Sequence, residues 1–320
     1  MRYLPVAWSF AVLSFACSSN DTSSEAISDA GGNAPGVSDA IASSDSSPAG
    51  GDAGGAKGPS DYPNADNTGP TTSRCGALTE MKAADVHDDN TVIENKRILG
   101  TFQVYAKNVI IRCSEIVGAW DVGPIVYGRD DGLTIEDCSI HAPSNHEKAQ
   151  YSIAMTGNNL TVRRTNMYWW SDAIQVGGTD ILIEDNYIHD AVYYAGDHTD
   201  GFQHYGSGKR VTIQHNTVEN PIDQTSCIAL FQDSGEGYDD VLVDDNWLAG
   251  GGYSIYGGGG EGQAPSSNVR FTNNKFSTKF FPKSGHYGPV AYWPPASGTG
   301  NVWSNNVWYD GPDKGKAIDP

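Results

Sequence analysis

One arrangement of apolar and polar positions recurs along the chain: apolar, any, apolar, two polar, then Asn or a small residue, any, apolar. It reads LTIEDCSI from Leu133, LTVRRTNM from Leu160, ILIEDNYI from Ile181, VTIQHNTV from Val211, VLVDDNWL from Val241 and VRFTNNKF from Val269. Variant copies begin at Val109 (VIIRCSEI) and Val302 (VWSNNVW), and successive starts lie 21 to 33 residues apart. Within each copy the apolar residues alternate, as in a strand with one buried face, and the phase changes around the Asn, as at a turn between two strands.

A further short apolar run precedes most copies: PIVYG, SIAMTG, AIQVGG, GFQHYG, CIALFQ, YSIYGG and PVAYW. Two or three short strands per period, with no helical pattern between them, predict an all-β parallel β-helix, a solenoid of about eight coils. A sandwich would not keep this register. Asn186, Asn216, Asn246 and Asn274 are expected to stack in a turn, each amide bonding its neighbours and tolerating a left-handed backbone. Cys138 and Thr165 extend that column, and Cys113 is placed in it one coil earlier, which makes Cys113–Cys138 one plausible bridge. Residues 75–86 (CGALTEMKAADV) have helix-forming composition and are expected to cap the N-terminal end. Trp303, Trp308 and Tyr309 are candidates for the opposite plug.

Composition divides the chain into three. Residues 1–17 give a basic start, an apolar run too short to span a bilayer and then Cys17, the pattern of a secretory signal. LSFAC resembles a bacterial lipobox, with Cys17 the lipidated residue; cleavage near Ala16 is the alternative. Residues 18–72, rich in Ser, Gly, Ala and Asp, cannot bury enough apolar surface to order themselves and read as a linker with a reach of roughly 40 Å. Residues 73–320 form the solenoid domain. The expected address is outside the cell, as a bacterial outer-membrane or cell-surface lipoprotein anchored to the membrane through Cys17, or secreted. Four further cysteines, Cys75, Cys113, Cys138 and Cys227, suggest two disulfides in an exported chain, or buried free thiols. The domain has 31 acidic against 18 basic residues, a net −13. With no basic stripe, nucleic-acid binding is not expected, and anionic polysaccharide would need a bridging cation. The chain is expected to be a monomer.

Over residues 91–310 the repeats resemble the right-handed parallel β-helix superfamily that includes pectate lyases and polygalacturonases. TVIENKRI, VIIRCSEI and HTDGFQ are similar to a group of exported bacterial β-helix proteins. The resemblance implies a right-handed, single-stranded solenoid and, at superfamily level, action on extracellular polysaccharide or oligosaccharide. It fails partway for polygalacturonases. His198-Thr199-Asp200-Gly201-Phe202 matches their first motif, whereas Gln224-Thr225-Ser226-Cys227-Ile228-Ala229 lacks both acids of the second. Gly250-Gly251-Gly252-Tyr253 lacks the His of the third, and the Arg-Ile-Lys is missing. Only Asp200 carries over.

Aligning the strands before each repeat puts Asp172, Asp200, Ser226 and Gly251 in one column, with Ile174, Phe202 and Ile228 inward and Gln175, Gln203 and Ala229 outward. Carboxylates one coil apart, about 4.8 Å, repel and raise one pKa, or share a cation. The first outcome suits glycoside hydrolysis. The second makes Asp172, Asp197 and Asp200 a candidate Ca²⁺ site for a lyase. Turn capping is the structural alternative for both acids. His198 is a candidate general acid or base beside Asp200, oriented by Asp197 or Asp200, and His204 falls on the inward phase. Gln175, Gln203, Lys148, Trp169, Trp170, Tyr193 and Tyr194 are the candidate substrate contacts, the aromatic rings offering sugar-stacking faces. The expected site is a surface patch of these residues, and the same fold as a non-catalytic glycan-binding or adhesion module is the rival reading.

Overall fold

The computed structural model describes residues 60–232, 236–259, 263–293 and 298–320. The Cys17 anchor and the signal segment lie outside the described residues.

The strands form three all-parallel sheets of ten, eight and nine strands, each strand pairing with its counterpart one coil earlier and one coil later. In a typical coil the chain passes through the eight-stranded sheet (Asp172–Val176), then the nine-stranded sheet (Ile181–Glu184), then the ten-stranded sheet (Tyr187–Ile188). The repeats align as the pattern predicts: Leu160 pairs with Leu133 and Ile181, and Ile183 with Val162 and Ile213. These aliphatic side chains fill the interior, with Val109, Leu160, Ile183, Val211, Val241 and Val269 fully buried. Each such burial contributes about 1.5–3 kcal/mol.

The Asn column forms as expected, with one correction. Asn186 N and Nδ2 both donate to Asn216 Oδ1 (2.9 Å each), and the same pattern continues through Asn246 and Asn274 to Asn306. The left-handed backbone belongs to the residue before each Asn: Asp185 (φ 57°), His215 (50°), Asp245 (49°) and Asn273 (59°). That residue points out of the solenoid while the Asn points in.

The same one-residue offset overturns the Cys113–Cys138 bridge. Val109 pairs with Leu133 and Arg112 with Glu136, so Cys113 shares the outward position of Asp137, and Ser114 is the counterpart of Cys138. Cys113 is instead bonded to Cys75, and Cys138 and Cys227 are buried free thiols. Burial pushes the Cys138 thiol up to about 12.

The N-terminal helix is not there. Thr79–Lys82 is a strand in register with Lys96–Leu99 at the end of the ten-stranded sheet, and no helix occurs among the described residues. Pairing with a ready sheet edge overrides the local helix propensity. At the other end Trp293, Trp303 and Trp308 pack on the core with Ile318, and Trp303 Nε1 donates to Ile318 O (2.7 Å). Tyr309 packs elsewhere, against Tyr62 and Trp247.

Residues 60–75 form a strap over the outward turn positions, although the composition places most of them in the linker. Tyr62 stacks on His215 (5.1 Å) and donates to Asp245 (2.6 Å), Gly69 N donates to Arg164 O (2.8 Å), Arg74 pairs with Asp137 (2.6 Å) and Cys75 is bonded to Cys113. The strap thus runs back along the solenoid from the Asp245 coil to the Cys113 coil. Its contacts are with left-handed residues that the ladder turns outward, a pairing that composition could not reveal.

Candidate functional site

The register of the eight-stranded sheet places Ile174 beside Phe202, Gln175 beside Gln203 and Asp200 beside Ser226. Asp172 and Asp200 are therefore neighbours, as expected. Further along, the alignment slips by two: Ser226 pairs with Tyr253, not Gly251, because Ile255 rather than Tyr253 fills the place of Ile228.

Both carboxyl groups are buried, Asp172 at 3% exposure and Asp200 at 0%, which corrects the expectation of an open surface patch. Asp172 Oδ1 accepts the backbone N–H of Asp200 (2.7 Å), and Asp200 Oδ1 accepts from Ser226 Oγ (2.5 Å). Asp200 Oδ2 is buried without a partner. Gly201 follows because a Cβ there would collide with Val218 and the Cys227 carbonyl. The approach to Asp200 is fixed by Asn220, whose Nδ2 donates to Thr199 O (2.6 Å), and by Thr225 Oγ1, which accepts from Thr199 N (3.0 Å).

Burial, then the neighbouring Asp200 charge, holds the Asp172 carboxyl well above the usual carboxylate range. Burial pushes Asp200 up to about 7, against the opposing hydrogen bond from Ser226. The pair is therefore poised to hold a proton near neutrality, the condition for a general acid. Its charges reach the face above: Asp172 acts on Tyr151 and Asp200 on Tyr256, each tyrosine being pushed up to about 12, first by burial.

Gln175 and Gln203 are half-buried and joined, Gln175 Nε2 donating to Gln203 Oε1 (2.8 Å). Asp197 stands apart, accepting from Lys148 Nζ (2.7 Å) and Ser171 Oγ (3.0 Å). Among the described residues no group of three or more His, Cys, Asp or Glu side chains is placed to hold a metal ion. A backbone N–H engages Asp172, Lys148 and Ser171 engage Asp197, and Ser226 engages Asp200 Oδ1.

His198 is exposed and its ring makes no hydrogen bond among the described residues, so neither Asp197 nor Asp200 orients it. His204 is buried in the core, its Nε2 on Gly178 O (2.9 Å), and burial lowers its pKa to about 4. Trp170 is no sugar platform: it is fully buried, with Nε1 donating to Met167 O (3.2 Å). Trp169 packs edge-on against Tyr168 (5.0 Å) and His141 (5.9 Å), and Lys148 lies 5.5 Å over the ring of Tyr194. Tyr193 alone of the four aromatics is well exposed, at 44%.

Residues 151–288 match the family model described as a right-handed beta helix region. The solenoid is a right-handed parallel β-helix. The matched stretch runs from Tyr151 past Tyr287 and contains the whole carboxyl pair with its surroundings. No curated protein and no solved structure matches the chain.

Sequence reasoning missed Ser226 as the donor to Asp200, Asn220 as the clamp on Thr199, and Tyr256 above the pair. Tyr256 was within reach. Pairing Ile255 with Ile228 puts it in the column of Gln175, Gln203 and Ala229.

Proposed function

We propose that this protein acts on extracellular polysaccharide as a glycoside hydrolase, with the scissile bond held against the outer face of the eight-stranded sheet above Asp172 and Asp200. One observation carries the reading. The solenoid's structural polar stack, the Asn ladder, is satisfied amide by amide, whereas the carboxyl pair keeps an unpartnered buried oxygen. Burying a group that way costs about 1–3 kcal/mol. Thr217 and Trp247 also carry orphaned polar atoms, so what supports a site for chemistry is the orphan falling on one of two adjacent buried carboxyl groups, both held above the ordinary carboxylate range.

A coil spacing of about 4.8 Å is close to the roughly 5–5.5 Å of retaining glycosidases, in which one carboxyl group donates a proton to the leaving oxygen and the other attacks. Elimination needs a base on this face, and of the candidates only the exposed His198 ring is without a partner among the described residues. Lys148 is paired with Asp197, and Arg129 donates to Gln103 and lies 3.5 Å over the Tyr127 ring. Export, with a lipid on Cys17 as the anchor, belongs to the same proposal. The rival reading, a glycan-holding module without catalysis, draws on the complete burial of Asp200.

The full chain incubated with a broad glycan panel, with and without Ca²⁺, is expected to release reducing ends without the ultraviolet absorbance of unsaturated products. Asp172→Asn and Asp200→Asn should each abolish release. Unsaturated products would turn the reading to a lyase. No product from any glycan, with binding that Asp200→Asn leaves intact, would overturn hydrolysis in favour of the binding module.

A further inference from the structure

The outer face of the eight-stranded sheet continues from the carboxyl pair towards the C-terminal coils, and its chemistry changes on the way. One column pairs Ala154, Gln175, Gln203, Ala229, Tyr256 and Ala291 coil by coil, without a charged residue. Around Tyr256 the aromatic rings gather into a shelf. Phe231 lies 5.5 Å from Tyr256, Tyr292 5.4 Å and Tyr253 5.7 Å, and Tyr287 is 5.8 Å from Tyr253. Tyr287 and Tyr292 are 60% and 57% exposed, large values for rings on a folded surface. The hydroxyls of Tyr253, Tyr256, Tyr287 and Tyr292 make no hydrogen bond among the described residues, so each is free to meet a partner.

Rings with free hydroxyls, next to paired amides, match the alternating apolar faces and hydroxyl edges of sugars. They do not match a polyanion. A polyuronate brings one carboxylate per residue to a domain of net charge −13, and each unscreened like-charge pair at 4 Å costs about 1 kcal/mol in water. Near the carboxyl pair the charge of Lys148 is met by Asp197, while Arg129 is held by the uncharged Gln103 and Tyr127. In the segment 281–292 only Lys283 and His286 are basic, and His286 packs edge-on against Tyr287 (4.6 Å) and Phe281 (5.4 Å).

We infer that the glycan is a neutral polysaccharide, seated on the Tyr253–Tyr256–Tyr287–Tyr292 shelf and running along the solenoid axis to the carboxyl pair. The inference rests on the proposed action on polysaccharide and names its substrate class.

Affinity electrophoresis and calorimetry of the full chain against mixed-linkage glucan, xylan and galactomannan, with polygalacturonate and alginate as the anionic set, test it at low and high salt. At least one neutral polymer is expected to bind in preference to both anionic ones, with little change on adding salt. The pair Tyr256→Ala and Tyr292→Ala should weaken that binding on the order of tenfold, about 1.4 kcal/mol. Tyr292→Ala alone, at an exposed ring, keeps the urea midpoint of the parent and serves as the folding control. Binding or cleavage of polyuronates alone overturns the neutral substrate but leaves the polysaccharide reading standing. Neutral binding that survives loss of both rings overturns the shelf. A chain that neither binds nor cleaves any polymer overturns the polysaccharide reading, and this inference with it.

Discussion

Replacing Asp200 by Asn separates a catalytic carboxyl group from a structural one through stability. The folded chain holds Asp200 at about 7, from an ordinary 3.8, chiefly through burial. Between those values the native protein keeps a proton that the unfolded chain has released, so the wild type loses stability as pH rises through that window. Roughly three pKa units at 1.36 kcal/mol each amount to about 4 kcal/mol between pH 4 and pH 8. Asn removes this term. Its Oδ1 can still accept from Ser226, but its Nδ2 takes the place of the unpartnered Oδ2, at a cost of about 1–3 kcal/mol. Asp200→Asn should therefore be slightly less stable than wild type near pH 4 and more stable by about 1–3 kcal/mol at pH 8. The assay is the urea midpoint of both proteins from pH 4 to pH 8, where the relative shift should be on the order of 1 M for a slope of about 3 kcal/mol/M. His204 titrates identically in both and cancels, whereas Asp172 loses the neighbouring charge that raises it, which moves the variant further in the same direction at high pH. Parallel curves, or a variant weaker at every pH, would refute the reasoning and make Asp200 a structural acceptor.

Three further outcomes follow from other parts of the fold. His204, held down to about 4 by burial, binds its proton only in the unfolded chain between about 6.5 and 4. It should therefore cost the wild type about 3 kcal/mol as pH falls through that window, a slope that His204→Asn removes from the midpoint curve. Asn216→Ala strips the acceptor from Asn186 N and the donors to Ile183 O and Asn246 Oδ1, and should cost about 3–5 kcal/mol by urea denaturation. Cys75→Ser opens a link between residues 38 apart and should cost about 4 kcal/mol. In the parent, Cys138 and Cys227 should react with a thiol reagent only after unfolding.

Much of the architecture was legible because a solenoid repeats its own evidence. Leu133, Leu160, Ile181, Val211 and Val241 announce one buried column five times over, and no single residue has to be read correctly. Where only one copy exists, that redundancy disappears. The segment Thr79–Lys82 has helical composition, and only the sheet edge it meets makes it a strand. Cys113 shows how a one-residue slip reverses an outcome: counted into the Asn column it faces Cys138, and counted one place earlier it faces outward to Cys75.

The site was legible as a column and opaque as an environment. Asp172 and Asp200 are adjacent as the spacing requires, and Gln175 meets Gln203. Their burial was not readable, because it depends on residues of the next coil, Asn220, Thr225 and Ser226, that gather around Thr199 and Asp200. Trp170 illustrates the limit from the other side. It follows Trp169 in the chain, yet one ring packs at the surface and the other closes the core.

The strap from Asp61 to Cys75 also sets how the domain would answer a mechanical load entering from its N-terminal side. Tyr62 would give way first, from His215 and Asp245, then Gly69 from Arg164, then Arg74 from Asp137. These contacts lie in series, so they would peel singly, each at low force. The peeling ends at a covalent stop. From Cys75 the tension crosses to Cys113 and bypasses residues 76–112, so the first coil stays slack while the strap pays out. In such a geometry the strap is a shock absorber and the disulfide its end stop, and reduction would pass the load from the peeled strap on to the strand Thr79–Lys82.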